Sequence, residues 1–415
     1  MNDVQVIRPS AIDGAVDAPP SKSMTQRAVA ACFLSDLFAA EDFATSDAPS
    51  HKQTCRILHP SLCDDAQAAF KIVMSIEKGE SIIDCGEAGL SLRMFAPIIA
   101  LFDKEFVLSG RGSLLKRPVG MIQEALVALG AECRTNNGFL PVDIKGPLKA
   151  GTITIDGSVT SQLLTGLLMA LPCCDGDSEI IVNDLKSVPY VEMTLKLLDD
   201  FGIKITNRDF RSFKIKGNQK YKPTTYSVEG DWSGAAFLLV AGAIAGNVRV
   251  NNLSHHLSLQ ADKVIIDALK LCGADVKIAD AHVEVSRKEL KGFEFNAQDC
   301  PDLFPPLVAL ACYCKGKTII SGVERLKHKE SDRSKALYEE FKKMGAKISI
   351  SANKMEIEGS ELKGGELSSH NDHRIVMASA VAGLGSTSGV QINGAGCISK
   401  SYPDFFTDLS SIIKA

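Results

Sequence analysis

The stretch 267–288, DALKLCGADVKIADAHVEVSRK, joins an apolar helical pattern, a glycine and two short alternating strands. The same order recurs in three further stretches, at 125–146, 195–217 and 338–359. The glycines after the four helical patterns are Gly130, Gly202, Gly273 and Gly345. Their separations of 72, 71 and 72 residues predict a repeated supersecondary unit. Each glycine suits the position just after a helix end, where a positive φ is needed.

This period sets the expected architecture. A chain of 415 residues holds between five and six such units and is too long for one ordinary core. We therefore expect an α/β protein of six units in two lobes of three, because no polar capping repeat of an open solenoid is evident. The lobe boundary is predicted near 226–231, and the cleft between the lobes is the expected substrate site.

Composition excludes several classes of protein. The net charge of −4 argues against nucleic acid as the main partner. There is no run of 18 apolar residues and no N-terminal targeting pattern, so we expect a cytoplasmic protein without a membrane span. The 12 cysteines include no C-x2-C pair, which predicts buried free thiols in a reducing compartment and no zinc site.

Six of seven short motifs place basic residues at or near predicted helix entrances, where free N–H groups bind anions. The seventh, at 156–162, places small hydroxyls and an amide before another helix. Each motif has an ordinary alternative, such as a capped helix, a tight turn or a solvated charge lattice. Together, in a chain of negative net charge, they predict an anionic ligand. The basic residues are Lys22, Arg27, Arg93, Arg117, Lys329, Arg333, Arg374 and Lys400.

In this order the motifs closely resemble those of the 3-phosphoshikimate 1-carboxyvinyltransferase (EPSP synthase) family of enolpyruvyl transferases, from Lys22 to Lys400. The motifs are SKSMTQR from 21, GEAGLSLR from 86, KRPVG from 116, TSQLLT from 160, EGD from 229, KESDR from 329, NDHR from 371 and SKSYPD from 399. The resemblance implies two lobes, each of three β-α-β-α-β-β repeats with the helices inside the sheets, an inside-out α/β barrel. It also implies a lobe at 21–229 that mainly binds shikimate 3-phosphate, a discontinuous lobe of 1–20 plus 230–415, and hinges near 20–21 and 229–231.

The implied reaction transfers the enolpyruvyl group of phosphoenolpyruvate (PEP) to the 5-hydroxyl of shikimate 3-phosphate, by addition and then elimination of phosphate. Both substrates carry a phosphate and a carboxylate. Two unit charges ~4 Å apart repel by about 4 kcal/mol near a protein surface, so several Arg and Lys side chains are needed to bring the substrates together. The reaction requires no redox step, and we expect neither a metal nor a cofactor.

The resemblance also implies roles for individual residues. Asp302 would accept the hydroxyl proton, Glu330 would deliver and later remove the methylene proton, and Lys22 would stabilise developing charge. A carboxylate among cations normally has a lowered pKa, so Glu330 as an acid needs an opposing desolvation effect. Shikimate 3-phosphate would be held by Lys22, Ser23, Arg27, Thr160, Ser161, Gln162, Ser187, Tyr190, Asp302 and Lys329. PEP would be held by Lys22, Gly89, Arg93, Arg117, Gln162, Arg333, Arg374 and Lys400.

Some positions depart from the family pattern. Glu87, Leu90 and Arg325 stand where Asn, Thr and Asn are usual, and Thr160 replaces a common Ser. Glu87 adds negative charge near the expected PEP phosphate loop, where it either caps the loop or alters inhibitor sensitivity.

Two other functions fit the sequence less well. The sister enzyme that acts on UDP-N-acetylglucosamine carries a loop cysteine where this chain has Gly112, and the nearest cysteine, Cys133, follows a helix. A non-catalytic anion-binding relative would lack the acid–base carboxylates, but Asp302 and Glu330 are both present. We expect a monomer that acts on small molecules, with no nucleic-acid or membrane partner.

Overall fold

The computed structural model describes residues 3–43 and 54–414. The chain divides into two compact units. Residues 21–228 form what we call the continuous unit, and residues 1–20 with 229–415 form the discontinuous unit. None of the described helices is long and apolar enough to cross a membrane.

The described residues contain twelve α-helices. They are α1 (Lys22–Phe43), α2 (Asp64–Glu77), α3 (Gly89–Ile99), α4 (Gly120–Ala128), α5 (Gln162–Ala170), α6 (Val188–Asp200), α7 (Trp232–Ala245), α8 (Ile265–Leu271), α9 (Phe304–Cys312), α10 (Arg333–Lys343), α11 (His373–Leu384) and α12 (Phe405–Ser411). Short 3-10 helices follow or precede several of them. The one at Pro301–Leu303 contains Asp302, and the one at Gly112–Lys116 directly precedes Arg117.

Twenty-one strands are described, and all are short. They are β1 (Val4–Ile7), β2 (Ile12–Asp17), β3 (Arg56–Leu58), β4 (Ile82–Asp84), β5 (Glu105–Ser109), β6 (Glu132–Asn136), β7 (Phe139–Lys145), β8 (Thr152–Asp156), β9 (Ser178–Asn183), β10 (Ile205–Arg208), β11 (Ser212–Ile215), β12 (Thr225–Ser227), β13 (Gly246–Asn251), β14 (Asp275–Ile278), β15 (His282–Ser286), β16 (Glu294–Asn296), β17 (Lys317–Ser321), β18 (Lys347–Ser351), β19 (Lys354–Glu358), β20 (Gly365–Ser368) and β21 (Val390–Asn393).

The strands form six separate open sheets, three in each unit. Four sheets have four strands and one common order, in which two parallel strands are followed by an antiparallel hairpin: β4-β5-β7-β6, β8-β9-β11-β10, β2-β13-β15-β14 and β16-β17-β19-β18. The other two sheets are shorter, β20-β21-β1 and β12-β3. The repeat is therefore confirmed in four full copies and is reduced in the remaining two within the described residues.

The predicted interior of helices is also confirmed. Every residue of α3, α9 and α11 is buried, and so are nearly all residues of α5 and α7. These helices are mostly apolar on all sides, as expected of helices that are covered on every side. The charged exceptions include Arg93 in α3 and Arg374 in α11, which belong to the candidate site. Helix α3 packs on α5 in the continuous unit, and α7, α9 and α11 pack on one another in the discontinuous unit. The sheets lie outside the helices, each with one apolar face inward.

The repeat glycines end their helices as predicted. Gly130, Gly202, Gly273 and Gly345 have φ values of +79°, +81°, +87° and +92°. In each case the next residue donates its N–H to a carbonyl in the last helical turn, as Ala346 does to Phe341 at 2.9 Å. This is the Schellman arrangement, which satisfies carbonyls left open at a helix end and needs a left-handed residue.

A fifth glycine of this kind was missed. Gly79 follows α2 with φ +75°, and the next N–H, of Glu80, bonds to the carbonyl of Ser75 at 2.9 Å. It lies only 51 residues before Gly130 because the described part of this copy contains no hairpin after α2. The fixed period therefore could not detect it.

Candidate active site

Lys22 is the first residue of α1, and its side chain is largely buried. Its Nζ lies 2.9 Å from Oδ2 of Asp65, in the first turn of α2. Gln26, one turn further along α1, donates to the carbonyl of Asp65 at 3.1 Å and to Ser91 Oγ at 2.8 Å. Asp65 and Gln26 therefore orient the start of α1. Neither was predicted as a site residue, since no motif connects α2 to Lys22.

Arg27 joins the start of α1 to the start of α6. Its Nε donates to Thr194 Oγ1 at 2.9 Å, and its two terminal nitrogens donate to the carbonyls of Ser23 at 2.9 Å and Tyr190 at 3.3 Å. Burial lowers the pKa of Arg27 to about 10, so the guanidinium stays charged at neutral pH. Arg27 thus fixes the backbone that presents Ser23 and Tyr190.

Arg93 brings three sequence motifs together. Its side chain is buried and donates to Gln162 Oε1 at 3.0 Å, to the carbonyl of Gly89 at 3.3 Å and to that of Pro118 at 2.8 Å. The guanidinium of Arg117 lies directly over Gly89, because a Cβ at position 89 would be 2.5 Å from Arg117 Nη1. Four of the residues predicted to bind PEP therefore form one cluster.

Glu87 caps the loop that leads to Arg117. Its carboxylate accepts bonds from the N–H and the hydroxyl of Ser113, both at 2.9 Å. Gly112, at φ +57°, leaves room for the carboxylate, since a Cβ there would lie 2.3 Å from Glu87 Cδ. Of the two alternatives for Glu87, the structure therefore has the loop cap. Leu90, the neighbouring departure from the family pattern, is buried in the core of this unit.

The predicted hydroxyl ligands lie at the starts of two helices. Thr160 Oγ1 accepts a bond from the N–H of Gln162 at 3.2 Å, at the first turn of α5. Ser161 is the N-cap residue of α5, and Ser187 is the N-cap residue of α6. Ser187 has φ +58°, a left-handed conformation that costs energy for a residue other than glycine and is often found at functional sites.

In the discontinuous unit, three cations surround one carboxylate. Asp302 lies 2.6 Å from Arg333 and 3.3 Å from Lys329 through Oδ1, and 3.1 Å from Arg374 through Oδ2. The Asp302 side chain is 21% exposed, so ligands can reach it. This cluster contains four of the predicted residues, although they come from segments 72 residues apart.

Arg333 is the centre of this cluster. Its side chain is 1% exposed, and it bonds Asp372 through Nε at 2.7 Å, Asp302 through Nη1, and Glu330 through Nη2. Burial opposes its charge, but the carboxylates of Asp372, Glu330 and Asp302 outweigh burial and raise the pKa of Arg333. Asp372 was not predicted as a site residue, although its position in the NDHR motif could have indicated it.

Lys329, Arg374 and Lys400 differ in how they are held. Burial lowers the pKa of Lys329, and Asp302 partly opposes this shift. Arg374 is buried, yet Asp302 raises its pKa above the usual value despite that burial. Lys400 is also buried, and its Nζ donates to the carbonyl of Asn371 at 2.8 Å. All three ammonium or guanidinium groups are thus held in place by neighbouring oxygen atoms.

Asp262 is a second carboxylate near this cluster. It is 1% exposed, and Ser233 donates a hydrogen bond to its Oδ2. Burial, followed by repulsion from Asp302, raises the pKa of Asp262 to about 7. Asp262 was not predicted as a site residue, because it lies in a region without motifs.

Glu339, Glu340 and His370 bring metal-ligating atoms within 4.8 Å of one another in the described part of the chain. Lys343 Nζ already lies 2.9 Å from both oxygens of Glu340. Glu340 also accepts bonds from the N–H of Ser368 at 2.9 Å and contacts His370 Nε2 at 2.6 Å. This arrangement braces the turn that precedes α11.

The model of the EPSP synthase (3-phosphoshikimate 1-carboxyvinyltransferase) family matches residues 6–409. The chain belongs to the EPSP synthase family. It is 39% identical to the 3-phosphoshikimate 1-carboxyvinyltransferase of Clostridium acetobutylicum, over 99% of this chain and 97% of that one. It is 37% identical to the protein of the same name from Methanocaldococcus jannaschii, over 97% and 96% of the two chains.

Solved structures share the fold of this EPSP synthase family member. The EPSP synthase of Acinetobacter baumannii superposes with a TM-score of 0.79 at 24% identity, over 100% of this chain and 98% of that one. The enolpyruvyl transferase NikO of Streptomyces tendae has a TM-score of 0.75 at 16% identity, over 99% and 97%. The predicted family and fold class are therefore confirmed.

Proposed function

We propose that the protein transfers the enolpyruvyl group of PEP to the 5-hydroxyl of shikimate 3-phosphate and releases inorganic phosphate. The observation that carries this proposal is the cluster of Lys329, Arg333 and Arg374 on Asp302, beside Glu330, in a chain of the EPSP synthase family. A cluster of two buried arginines and a half-buried lysine supports the binding of phosphate and carboxylate groups.

The residues divide into two proposed sets. In the continuous unit, Lys22, Ser23, Arg27, Thr160, Ser161, Gln162, Ser187 and Tyr190 are assigned to shikimate 3-phosphate, and Lys22, Gly89, Arg93, Arg117 and Gln162 to PEP. In the discontinuous unit, Asp302 and Lys329 are assigned to shikimate 3-phosphate, and Arg333, Arg374 and Lys400 to PEP. The contacts among Gly89, Arg93, Arg117 and Gln162 support their assignment to a common ligand.

The proposed mechanism begins with proton transfer to Asp302. In this structure its carboxylate is stabilised by three cations, which makes it a weak base. Phosphate and carboxylate groups of the substrates compete for the same N–H donors. Each donor that moves from Asp302 to a substrate makes Asp302 more basic, so substrate binding itself activates the base.

The remaining steps conserve atoms and charge. As Asp302 takes the hydroxyl proton, the oxygen bonds to C2 of PEP and the methylene carbon takes a proton from Glu330. The resulting tetrahedral intermediate then loses a methyl proton back to Glu330 while the C2–O bond to phosphate breaks. The proton held by Asp302 passes to the departing phosphate, so both carboxylates return to their starting states. Lys22 steadies the negative charge that develops in both steps. No metal or cofactor is assigned to any step.

Phosphate release from PEP and shikimate 3-phosphate tests the proposal directly. The wild-type protein is expected to release phosphate only when both substrates are present. Lys22→Met is expected to abolish release while the circular dichroism spectrum and melting temperature stay close to those of the wild type. Release with UDP-N-acetylglucosamine in place of shikimate 3-phosphate would overturn the assignment.

The structure also bears on that rival acceptor. Cys133, the cysteine nearest to the Arg117 loop in sequence, is a buried residue of β6. Burial raises its pKa to about 12, so it is a thiol at neutral pH and unsuited to proton transfer or attack. This favours shikimate 3-phosphate as the acceptor.

Three further expectations remain part of the proposal. We expect a monomer, which light scattering in solution tests. The hinges near 20–21 and 229–231 stay predictions, and small-angle scattering with and without shikimate 3-phosphate tests them. A cytoplasmic location is also proposed, because the twelve cysteines are free thiols, as is usual for proteins of a reducing compartment.

A further inference from the structure

The turn between β20 and α11, residues 369–372, contacts two of the cations assigned to PEP. The carbonyl of Asn371 accepts a hydrogen bond from Lys400 Nζ at 2.8 Å. The carboxylate of Asp372, which is fully buried, accepts a bond from Arg333 Nε at 2.7 Å. We call residues 369–372 the cation-holding turn. The positions of the Lys400 and Arg333 side chains depend on how this turn is held.

Two successive residues of the cation-holding turn have an unfavourable backbone conformation. His370 has φ +49° and Asn371 has φ +55°. This left-handed region costs energy for residues other than glycine, and it persists only where surrounding contacts maintain it. The hydroxyls of Ser368 and Ser369 supply local contacts, since they accept the N–H of His370 at 3.3 Å and that of Asn371 at 3.1 Å. Further support comes from α10.

Glu340 of α10 provides this support from the interior of the unit. Its side chain is 1% exposed, and its carboxylate accepts the N–H of Ser368 at 2.9 Å and contacts His370 Nε2 at 2.6 Å. Burial opposes the charge of Glu340, but the bonds from Ser368, His370 and Lys343 outweigh burial and lower the pKa of Glu340. A charged carboxylate can only accept hydrogen bonds, so His370 donates through Nε2.

The helix that carries Glu340 begins at Arg333. The two residues are seven positions apart on α10 and both are 1% exposed, so they lie about two turns apart on one buried face. Arg333 bonds to Asp372 at the end of the cation-holding turn. Glu340 bonds to Ser368 and His370 at its beginning. Helix α10 therefore holds this turn from both ends.

We propose that Glu340 is a positioning residue for PEP, which acts through the cation-holding turn to keep Lys400 and Arg333 where they bind the anionic groups of that substrate. In the described part of the chain, the hydrogen-bond partners of the Glu340 carboxylate include no residue assigned to a substrate, so its effect is indirect. The inference rests on the proposed function, because it assumes that Lys400 and Arg333 bind PEP.

Glu339 provides a matched control on the same helix. Its side chain is 40% exposed and pairs with Lys335 at 3.8 Å. One of its carboxylate oxygens lies within 4.8 Å of the corresponding atoms of Glu340 and His370. Among the described residues, however, only Glu340 of these two glutamates bonds to the turn and to Ser368. The pair therefore separates the effect of these hydrogen bonds from that of a nearby negative charge.

The experiment compares Glu340→Gln with Glu339→Gln in the phosphate-release assay. Gln keeps one acceptor oxygen, but its NH2 group would face N–H donors, so it cannot retain all the bonds of the carboxylate. We expect Glu340→Gln to raise the KM for PEP about tenfold and to change the KM for shikimate 3-phosphate by less than about twofold. Glu339→Gln should leave both KM values near those of the wild type. Glu340→Asp, which keeps the charge on a shorter side chain, should also raise the KM for PEP and serves where Glu340→Gln folds poorly.

Amide hydrogen exchange measured by mass spectrometry tests the positioning without any substrate. We expect faster exchange at residues 369–374 and 395–400 in Glu340→Gln than in the wild type, because these segments open more often once the support from α10 is weakened. Exchange in Glu339→Gln should match the wild type.

Equal KM values for PEP in the Glu340 and Glu339 variants would overturn the proposal, and so would equal exchange in the two variants. A rise in both KM values together with a lowered melting temperature would also overturn it, because that result indicates general destabilisation. A wild-type protein that releases no phosphate would overturn the proposed function and the role of Glu340 at PEP with it. The exchange difference would then still show that Glu340 holds the turn and the segment of Lys400.

Discussion

Asp302 is the residue on which the proposed chemistry depends most. Asn at this position keeps the size and can still accept one hydrogen bond, but it cannot take a proton. We expect Asp302→Asn to lower the rate of phosphate release by a factor of about 10² to 10⁴, the usual contribution of a general base. A steady-state phosphate assay measures this loss.

The matched control for that substitution is Asp280→Asn, at an exposed turn between β14 and β15. It makes the same chemical change at an exposed residue that is not part of the Asp302 cluster, and it should leave the rate within about twofold of the wild type, as surface changes usually do. Near-normal activity of Asp302→Asn would contradict its assignment as the base.

Gly89 sets how closely Arg117 approaches the proposed PEP phosphate. A methyl group at this position would lie 2.5 Å from Arg117 Nη1 and 2.8 Å from its Cζ, so the guanidinium must move. We expect Gly89→Ala to raise the KM for PEP about tenfold, the loss of roughly 1.4 kcal/mol of binding, with little change in the KM for shikimate 3-phosphate. Steady-state kinetics with each substrate varied in turn measures both values.

Gly151→Ala serves as the control for that change, since its Cβ would be 3.6 Å from the nearest atom, an ordinary contact. An equal rise in both KM values for Gly89→Ala would argue for general distortion and against a specific role of Arg117 at PEP.

Asp262 makes stability depend on pH. Its pKa is raised from 3.8 to about 7, so the folded protein retains a proton that the unfolded chain has already released between these values. Stability is therefore lost as the pH rises through this window. Because Asn cannot ionise, Asp262→Asn should gain free energy of unfolding relative to the wild type between about pH 5 and 8, by a few kcal/mol at most. Urea unfolding of both proteins at about pH 5 and about pH 8 measures the gain. If the free energies of unfolding of the two proteins differ by the same amount at both pH values, the raised pKa of Asp262 is contradicted.

At the scale of single elements, the helix ends are the most predictable feature. Gly345 has φ +92°, and a Cβ there would lie 3.9 Å from the nearest atom, an ordinary contact, so the cost of a side chain is conformational. We expect Gly345→Ala to lower the free energy of unfolding by about 1 kcal/mol, and Gly345→Asn to lower it less, because Asn tolerates the left-handed region. Urea unfolding with Gly151→Ala as the control tests this, and equal effects at 345 and 151 would contradict it.

The repeat was predictable because it depends on local rules. The glycine after each helix and the alternating hairpin behind it need only the residues of one copy, and four copies kept the spacing. The period did not reveal Gly79, because its copy has no described hairpin and its spacing to Gly130 is therefore shorter. The strand order within each sheet depends on long-range pairing, as between β2 and β13, and a period alone does not determine it.

The candidate site likewise contains residues that local sequence could indicate and residues that it could not. Basic residues at helix starts could be identified from motifs, and the structure brings Lys329, Arg333 and Arg374 onto Asp302. Asp65 and Asp262 could not be found from local sequence, because each acts through a partner on another element. Carboxylates that position cations have no motif of their own.

At the scale of the molecule, the discontinuous unit depends on its N-terminal segment. Strand β2 pairs with β13 over six residues, β1 pairs with β21 over four, and Ile7, Ile12 and Val16 are buried. We expect residues 21–228 alone to fold cooperatively. We also expect residues 229–415 alone to unfold at a much lower urea concentration than the discontinuous unit that includes residues 1–20. Circular dichroism during urea titration measures both, and equal midpoints for the two forms of the discontinuous unit would contradict the prediction.

The pairing of β1 with β21 has a consequence for how the protein is made. Strand β1 ends at Ile7 and β21 begins at Val390, so a ribosome releases β1 long before it releases β21. The continuous unit lies entirely between them, so all of its strands are available for pairing before β1 meets its neighbour. During translation β1 therefore remains without its sheet neighbour at a stage when the strands of the continuous unit can already pair.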